Sequence, residues 1–241
     1  MDLDILQTGP LKVNTFIVPL VGNAVFLVDP AASNLTDDET VISDYLTEQD
    51  LVPVGIVLTH AHFDHVMNIP FLKTVYPDLC VAVHEKDKNY LGPSCAVEHQ
   101  QVLGENVSDE VLNELASLPN PDKLLEDGNT LDKIFELENV VSAFSGNTTA
   151  PDFEAIAHAL SSWKVIHTPG HTPGSICLYN ENEKVLISGD TVFYQSYGRT
   201  DLPGGSSSDM VKSLSNLKDT LPPETLVYPG HDTYGFTLGE N

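Results

Sequence analysis

Thr59-His60-Ala61-His62-Phe63-Asp64-His65 packs four metal-capable side chains into six consecutive positions. Imidazole nitrogens suit zinc and iron alike, and a carboxylate that bridges suits a pair of ions. The cluster follows the apolar run Val54-Gly55-Ile56-Val57-Leu58, and three later apolar runs end in the same way. The run 163–166 leads through Pro169-Gly170 to His171. Val185-Leu186-Ile187 leads through Ser188-Gly189 to Asp190, and Leu226-Val227-Tyr228 leads through Pro229-Gly230 to His231. Strand-like segments that each deliver a ligand-type residue at their C-terminal end predict a metal site at the edge of a sheet.

In extended backbone alternate side chains project to the same side, so His60 and His62 reach one ion together. Asp64 and His65 follow in a turn and address a second position. His171 completes a three-histidine set with His60 and His62. Asp64, His65 and His231 form a second set, with Asp190 able to bridge the two. For any single histidine the competing explanation is a satisfied polar side chain at a strand end. Five of the nine histidines at such positions are not explained that way. His84, His99, His158 and His167 lie outside the set and read as structural or solvent-exposed, with His84 able to reach the rim.

The elements that must position these residues are written in turn signals and periodicity. Segments 4–8, 13–18 and 24–28 read as strands separated by Gly9-Pro10 and Gly22-Asn23, an antiparallel meander. Thr36-Asp37-Asp38-Glu39 matches a capping box for a helix with Val41, Ile42, Tyr45 and Leu46 on one face. Residues 54–58 form the strand that feeds the central cluster, 66–76 read as a helix ending before Pro77, and 80–83 as a strand. His84-Glu85 opens a helical stretch to Leu91. The segment 93–162 reads as an elaborated insertion. In it Ser108 caps a helix bearing Val111, Leu112, Leu115 and Leu118, Asp127-Gly128-Asn129 makes a turn, and 145–151 is a polar loop. A further helix carries Phe153, Ile156, Ala157 and Leu160. Strands return at 163–167, 175–179, 184–187 and 225–228. A Gly-rich loop, 198–208, precedes a helix on which Met210, Val211, Leu214 and Leu217 share a face. With no repeat and no low-complexity linker, residues 1–241 read as one domain of sheets covered by helices.

Composition narrows the partners. The chain carries 11 Lys and Arg against 35 Asp and Glu, a net charge of −24. Such a surface repels phosphate backbones and anionic lipid, which argues against nucleic acid and membrane partners. No segment approaches the roughly 20 apolar residues needed to cross a bilayer. Cys80, Cys95 and Cys177 are widely spaced and odd in number, so no disulfide framework is expected. Met1-Asp2-Leu3-Asp4 lacks the basic start of a secretory leader. Both features favour a reducing, cytoplasmic location; the expected state is a monomer or homodimer.

The motif set resembles the metallo-β-lactamase superfamily. Its HxHxDH pattern is matched in full by His60 to His65. His171 within His167-Thr168-Pro169-Gly170-His171-Thr172-Pro173-Gly174 looks like its third motif. Asp190 in Ser188-Gly189-Asp190-Thr191 and His231 in Pro229-Gly230-His231-Asp232 look like the fourth and fifth. The resemblance implies an α/β, four-layer αβ/βα sandwich of two mixed β-sheets flanked by helices, with metals at the edge between the sheets. It also implies two divalent ions, zinc foremost, with iron or a mixed zinc–iron pair as alternatives.

True β-lactamases of this superfamily commonly place a cysteine where this chain has Asp190, so antibiotic hydrolysis is not expected. The RNA-processing branch needs phosphate-binding surface, which this charge balance does not offer. Gly198-Arg199-Thr200-Asp201-Leu202-Pro203-Gly204-Gly205, with Asp190-Thr191-Val192-Phe193, resembles the glyoxalase II-like hydrolases. That implies hydrolysis of a small-molecule thioester such as S-2-hydroxyacylglutathione by metal-bound hydroxide, with Asp64 and Asp190 as catalytic carboxylates. Arg199 is a candidate to grip a substrate carboxylate, or else is tied up in a salt bridge to Asp201. Full-length glyoxalase II enzymes add a helical C-terminal domain that binds glutathione, whereas ten residues follow His231 here. That family's basic and tyrosine loop contacts fall on Arg199 and Asp201, so the charge of the first alone is kept. Gly-Arg-Thr-Asp and His231-Asp232-Thr233-Tyr234-Gly235-Phe236-Thr237 also resemble persulfide dioxygenases, which hold one iron through counterparts of His60, His171 and Asp190. A metal-free binding module ranks third, since no ligand position is lost.

Overall fold

Strands buried on both faces dominate the computed structural model, which describes residues 2–105, 107–136, 140–141, 143–144 and 151–241. The first sheet has six strands in sequence order: β1 (Asp4–Thr8), β2 (Val13–Pro19), β3 (Ala24–Val28), β4 (Val52–Val57), β5 (Val81–His84) and β6 (Lys123–Leu125). β1 to β3 pair antiparallel, as the two turn signals predict, and β3 to β6 pair parallel. The second sheet takes β7 (Trp163–His167), β8 (Ile176–Asn180), β9 (Val185–Gly189), β12 (Leu226–Pro229) and β13 (Phe236–Thr237) in the order β13-β12-β9-β8-β7. It is mixed as well, because β12 runs parallel to β9 while its other pairs are antiparallel. A two-stranded ribbon joins β10 (Val192–Phe193) to β11 (Ser196–Tyr197).

Alternation assigns the side chains to layers. Phe16, Val18, Phe26, Val28 and Val57 from the first sheet meet Val165, Ile176, Leu178, Val185 and Ile187 from the second. Trp163 is fully buried among them, edge-on to Phe26 at 5.4 Å between ring centroids. The intervening residues Ile17, Val25, Leu27, Ile56, Val81 and Val83 face the other way. There they bury Ile42 and Leu46 of α1 (Val41–Glu48) and Ile69 and Leu72 of α3 (Ile69–Val75). Cys177, Tyr179, Leu186 and Val227 cover the outer face of the second sheet with Leu217 of the C-terminal helix. Helix, sheet, sheet, helix is the four-layer order that the superfamily resemblance implies, and strands covered on both faces read as continuous apolar runs.

The segment 93–162 belongs to this core as well as to its surface. It supplies α4 (Cys95–Leu103), α5 (Asp109–Leu115), edge strand β6, α6 (Leu131–Ile134) and α7 (Phe153–Ser161). Leu125, Leu131, Ile134, Ile156 and Leu160 join the central core. Ser108 caps α5 by accepting from the Val111 amide. The expected polar loop at 145–151 lies almost wholly outside the described residues.

Three expectations are corrected. Thr36 to Glu39 is not a capping box. Ser33 caps a 3-10 turn at Asn34–Thr36, α1 starts after Thr40, and Asp38 accepts from the Ser33 and Gly9 amides. The helix expected at 66–76 is two, α2 (Phe63–Val66) and α3, because α2 begins inside the metal-type cluster itself. In α8 (Ser207–Thr220) Val211 is 62% exposed, and Ser213 joins Met210 and Leu217 on the buried face.

Candidate metal centre

Strand β4 runs into Leu58 and Thr59, and the backbone stays extended through His62 before α2 makes one helical turn. His60 and His62 therefore sit on extended chain, while Asp64 and His65 lie on the turn. The two sheets are stitched together here, since the Ile176 amide donates to the Thr59 carbonyl at 2.8 Å. The loop after β7 brings His171, the end of β9 brings Asp190, and the end of β12 brings His231. Asn14 of β2 donates to the Pro229 and Asp232 carbonyls and so anchors the loop carrying His231. Gly230 is required there, because a Cβ would lie 2.5 Å from Asp190 Oδ1 and 2.8 Å from His65 Cε1.

All seven residues converge. The rings of His60, His62 and His171 stand nearly perpendicular to one another with centroids 4.6–4.8 Å apart. His62 Nδ1 lies 2.9 Å from His171 Nε2. In the second group His65 Nε2 and His231 Nε2 are 3.3 Å apart, and Asp64 Oδ2 is 3.3 Å from His231 Nε2. Asp190 faces both groups. Its Oδ2 is 3.5 Å from His171 Nε2 and 3.7 Å from His231 Nε2, and its Oδ1 is 3.6 Å from His65 Nε2. Two ligands on a tetrahedral ion, each about 2.1 Å from it, lie about 3.4 Å apart. The observed spacings cluster about that value.

Hydrogen bonds on the outer nitrogens turn lone pairs inward, as ligating histidines require. His171 Nδ1 donates to the Arg199 carbonyl at 2.8 Å, and His231 Nδ1 to the Leu11 carbonyl at 3.2 Å. His65 Nδ1 donates to Asp29 Oδ2 at 2.9 Å. Thr59 gives its hydroxyl proton to Asp29 Oδ2 at 2.6 Å, which leaves its oxygen to accept from His60 Nδ1 at 3.2 Å. Among the described residues the buried His60 Nε2 then has no hydrogen-bond partner, and Asp190 Oδ1 is likewise buried without one. Orphaned acceptors of this kind, opposite carboxylates, fit a bound cation.

Electrostatics divide the groups. Burial first, and then the neighbouring imidazoles, push His60 well below its ordinary pKa. Burial and His171 lower His62 to about 3 against the pull of Asp64, so both present neutral nitrogens at pH 7. In the second group burial opposes the charged forms but is outweighed. Asp64, Asp29 and Asp190 raise His65 to about 10, and Asp64 and Asp190 raise His231. Burial pushes Asp64 up, yet His65 and His231 hold its carboxyl below the usual range. A proton on His65 thus stands in for a cation in the metal-free protein, and an ion must displace it. Affinity of the second position for zinc is expected to rise with pH, by up to about tenfold per unit, below pH 10. Chelator competition between pH 6 and 9 measures this. Stability has the opposite sign. The raised His65 value stabilises the metal-free fold fully below its unfolded pKa, and the benefit is lost as pH climbs through about 10.

The sequence profile of the metallo-beta-lactamase superfamily matches residues 8–231. The chain belongs to the metallo-β-lactamase superfamily. Within that superfamily it is similar to the probable metallo-hydrolase YqgX of Bacillus subtilis, 30% identical over 94% of this chain and 88% of that protein. Glyoxylase B2 of Dictyostelium discoideum is 29% identical over 82% of this chain and 56% of that protein. Two solved structures share the fold closely. The BLEG-1 B3 metallo-β-lactamase superposes with a TM-score of 0.73 at 26% identity, covering 99% of this chain and 95% of its own. TTHA1623, crystallised in a di-iron-bound form, gives 0.72 at 29% identity, covering 98% and 96%.

Arg199 lies beside the centre but its guanidinium is engaged. Nε and one terminal nitrogen donate to the two carboxylate oxygens of Asp201, both at 2.8 Å. The four remaining histidines divide. His84 stacks on His167 at 4.2 Å, and His99 Nε2 donates to the Tyr90 carbonyl. His158 lies on α7, away from these contacts. Sequence reasoning missed Asp29 and Asp87, both fully buried beside the centre. Asp29 ends β3 as Asp190 ends β9, so the strand-end rule could have found it.

Proposed function

We propose that this chain is a dinuclear metal-dependent hydrolase of small thioesters such as S-2-hydroxyacylglutathione. The observation that carries the reading is Asp190, whose two carboxylate oxygens reach both groups of inward-turned nitrogens. His60, His62 and His171 would hold one ion, and Asp64, His65 and His231 the other. When bound, such a pair lowers the pKa of water toward 7 and polarises a carbonyl oxygen. Asp64 and Asp190 are the carboxylates placed to take up the proton that the attacking water gives up. A thiolate leaving group, with a free pKa near ~8.5, departs without a general acid. The similarities to a probable metallo-hydrolase and to a glyoxylase support hydrolysis, and the di-iron form of TTHA1623 supports two ions. Among the described residues no helix is long and apolar enough to cross a membrane. Cys80, Cys95 and Cys177 are free and buried, in keeping with a reducing cytoplasm.

The direct test is zinc-loaded protein assayed for loss of S-D-lactoylglutathione absorbance, with nitrocefin as the β-lactam comparison. Thioester turnover that chelator abolishes and zinc restores, without nitrocefin cleavage, is the expected result. Nitrocefin turnover without thioester turnover would replace the proposal with a β-lactamase. Failure to bind any metal would leave the binding-module reading.

A further inference from the structure

Asp87 is fully buried on the 3-10 turn Glu85–Tyr90 that follows β5, outside the seven converging residues. Its contacts span two separate pieces of chain. Oδ1 accepts from the Gly174 amide at 2.7 Å, and Oδ2 accepts from Thr172 Oγ1 at 2.7 Å. Both donors follow His171 in the same loop. Oδ2 also accepts, at 3.4 Å, from the amide of Ala61, the residue between His60 and His62. The loop is cut to fit this carboxylate, since a Cβ on Gly174 would come within 2.5 Å of Asp87 Cγ. Thr172 is fixed from its other side by Ser175, whose Oγ lies 2.8 Å from Thr172 Oγ1 and accepts from the Thr172 amide at 3.0 Å.

All three contacts are with neutral donors. A buried carboxylate with no cationic partner is costly unless positive charge is delivered nearby. The segments it grips are those that carry the His60–His62–His171 group, and among the described residues no hydrogen bond or ion pair joins it to Asp64, His65 or His231. We infer that Asp87 is the positioning residue of the first metal position: it holds the His171 loop against the His60–His62 segment and sets the affinity of that position alone. The inference rests on the dinuclear reading above.

Asp87→Asn keeps the shape but removes the charge and replaces one acceptor with a donor. Zinc affinity and stoichiometry by graded chelator competition, with Co2+ absorption as a second readout, test it without reference to turnover. Outer-shell changes of this kind typically cost about 10–100-fold in metal affinity. The expected result is that factor on one of two ions, the other staying within about threefold of the parent chain. Two ions at parental affinity in D87N, or equal weakening of both, would overturn the inference. If D87N fails to fold, Thr172→Val, which deletes one hydroxyl donor to Asp87, takes its place. Selective weakening in T172V supports the assignment, and unchanged affinity overturns it. A parent chain that binds fewer than two ions would instead sink the dinuclear reading itself.

Discussion

Asp190→Ala is expected to lower kcat/KM for a thioester by about a thousandfold or more while leaving the fold intact. The side chain faces both nitrogen groups at 3.5–3.7 Å, so its loss uncouples the two positions at once. Charge stabilisation by a held metal pair is worth several kcal/mol, and about 4 kcal/mol corresponds to a factor of about 10³. The fold is largely kept because Asp190 Oδ1 makes no hydrogen bond and Asp64 and Asp29 still face the buried His65. Circular dichroism and the thermal midpoint of metal-free protein check the second half of the expectation. Full activity in the variant would mean that the converging residues are not the reactive centre.

Asp29→Ala carries the largest expected cost in stability. Asp29 is fully buried and accepts from His65 Nδ1, the Thr59 amide and the Thr59 hydroxyl, all within 2.9 Å. Removing one partner of a buried charged pair costs about 3–5 kcal/mol. The same change frees His65 to rotate and breaks the relay through Thr59 to His60, so zinc affinity should fall about 10–100-fold. Urea denaturation of the metal-free chain reads the first effect and chelator competition the second. A variant within about 1 kcal/mol of the parent would contradict this account of the buried network.

The strand-end pattern made the centre legible because covalent order sets it. A strand that ends at the sheet edge delivers its next polar residue there, whichever partners lie beside it. Asp190 directly follows β9, His60, His171 and His231 come within four residues of the ends of β4, β7 and β12, and His62, Asp64 and His65 continue the segment that His60 opens. Asp29 obeys it too, but Asp29-Pro30 also reads as an ordinary closing turn, and its positive φ of 51° suits one. Asp87 was not legible, because its meaning depends on Gly174 and Thr172, more than eighty residues away. The same limit explains the capping-box error. Asp38 was claimed by the Ser33 and Gly9 amides, and the second of these is a tertiary contact that no local motif displays. Val211 faces solvent because the four apolar positions span about a third of the circumference of α8 with Val211 at one end, and packing chose Ser213 over it. Arg199 shows the converse. Its pairing with Asp201 is local, and the sequence already offered it as one of two alternatives.

Metal content and turnover on one sample decide the central claim. Protein purified without added metal should carry about two ions per chain after equilibration with zinc and hydrolyse a glutathione thioester in proportion to the second ion bound. One iron per chain, with sulfite formed from glutathione persulfide and no thioester cleavage, would contradict it. Asp64, His65 and His231 would then be a hydrogen-bonded group beside a mononuclear centre.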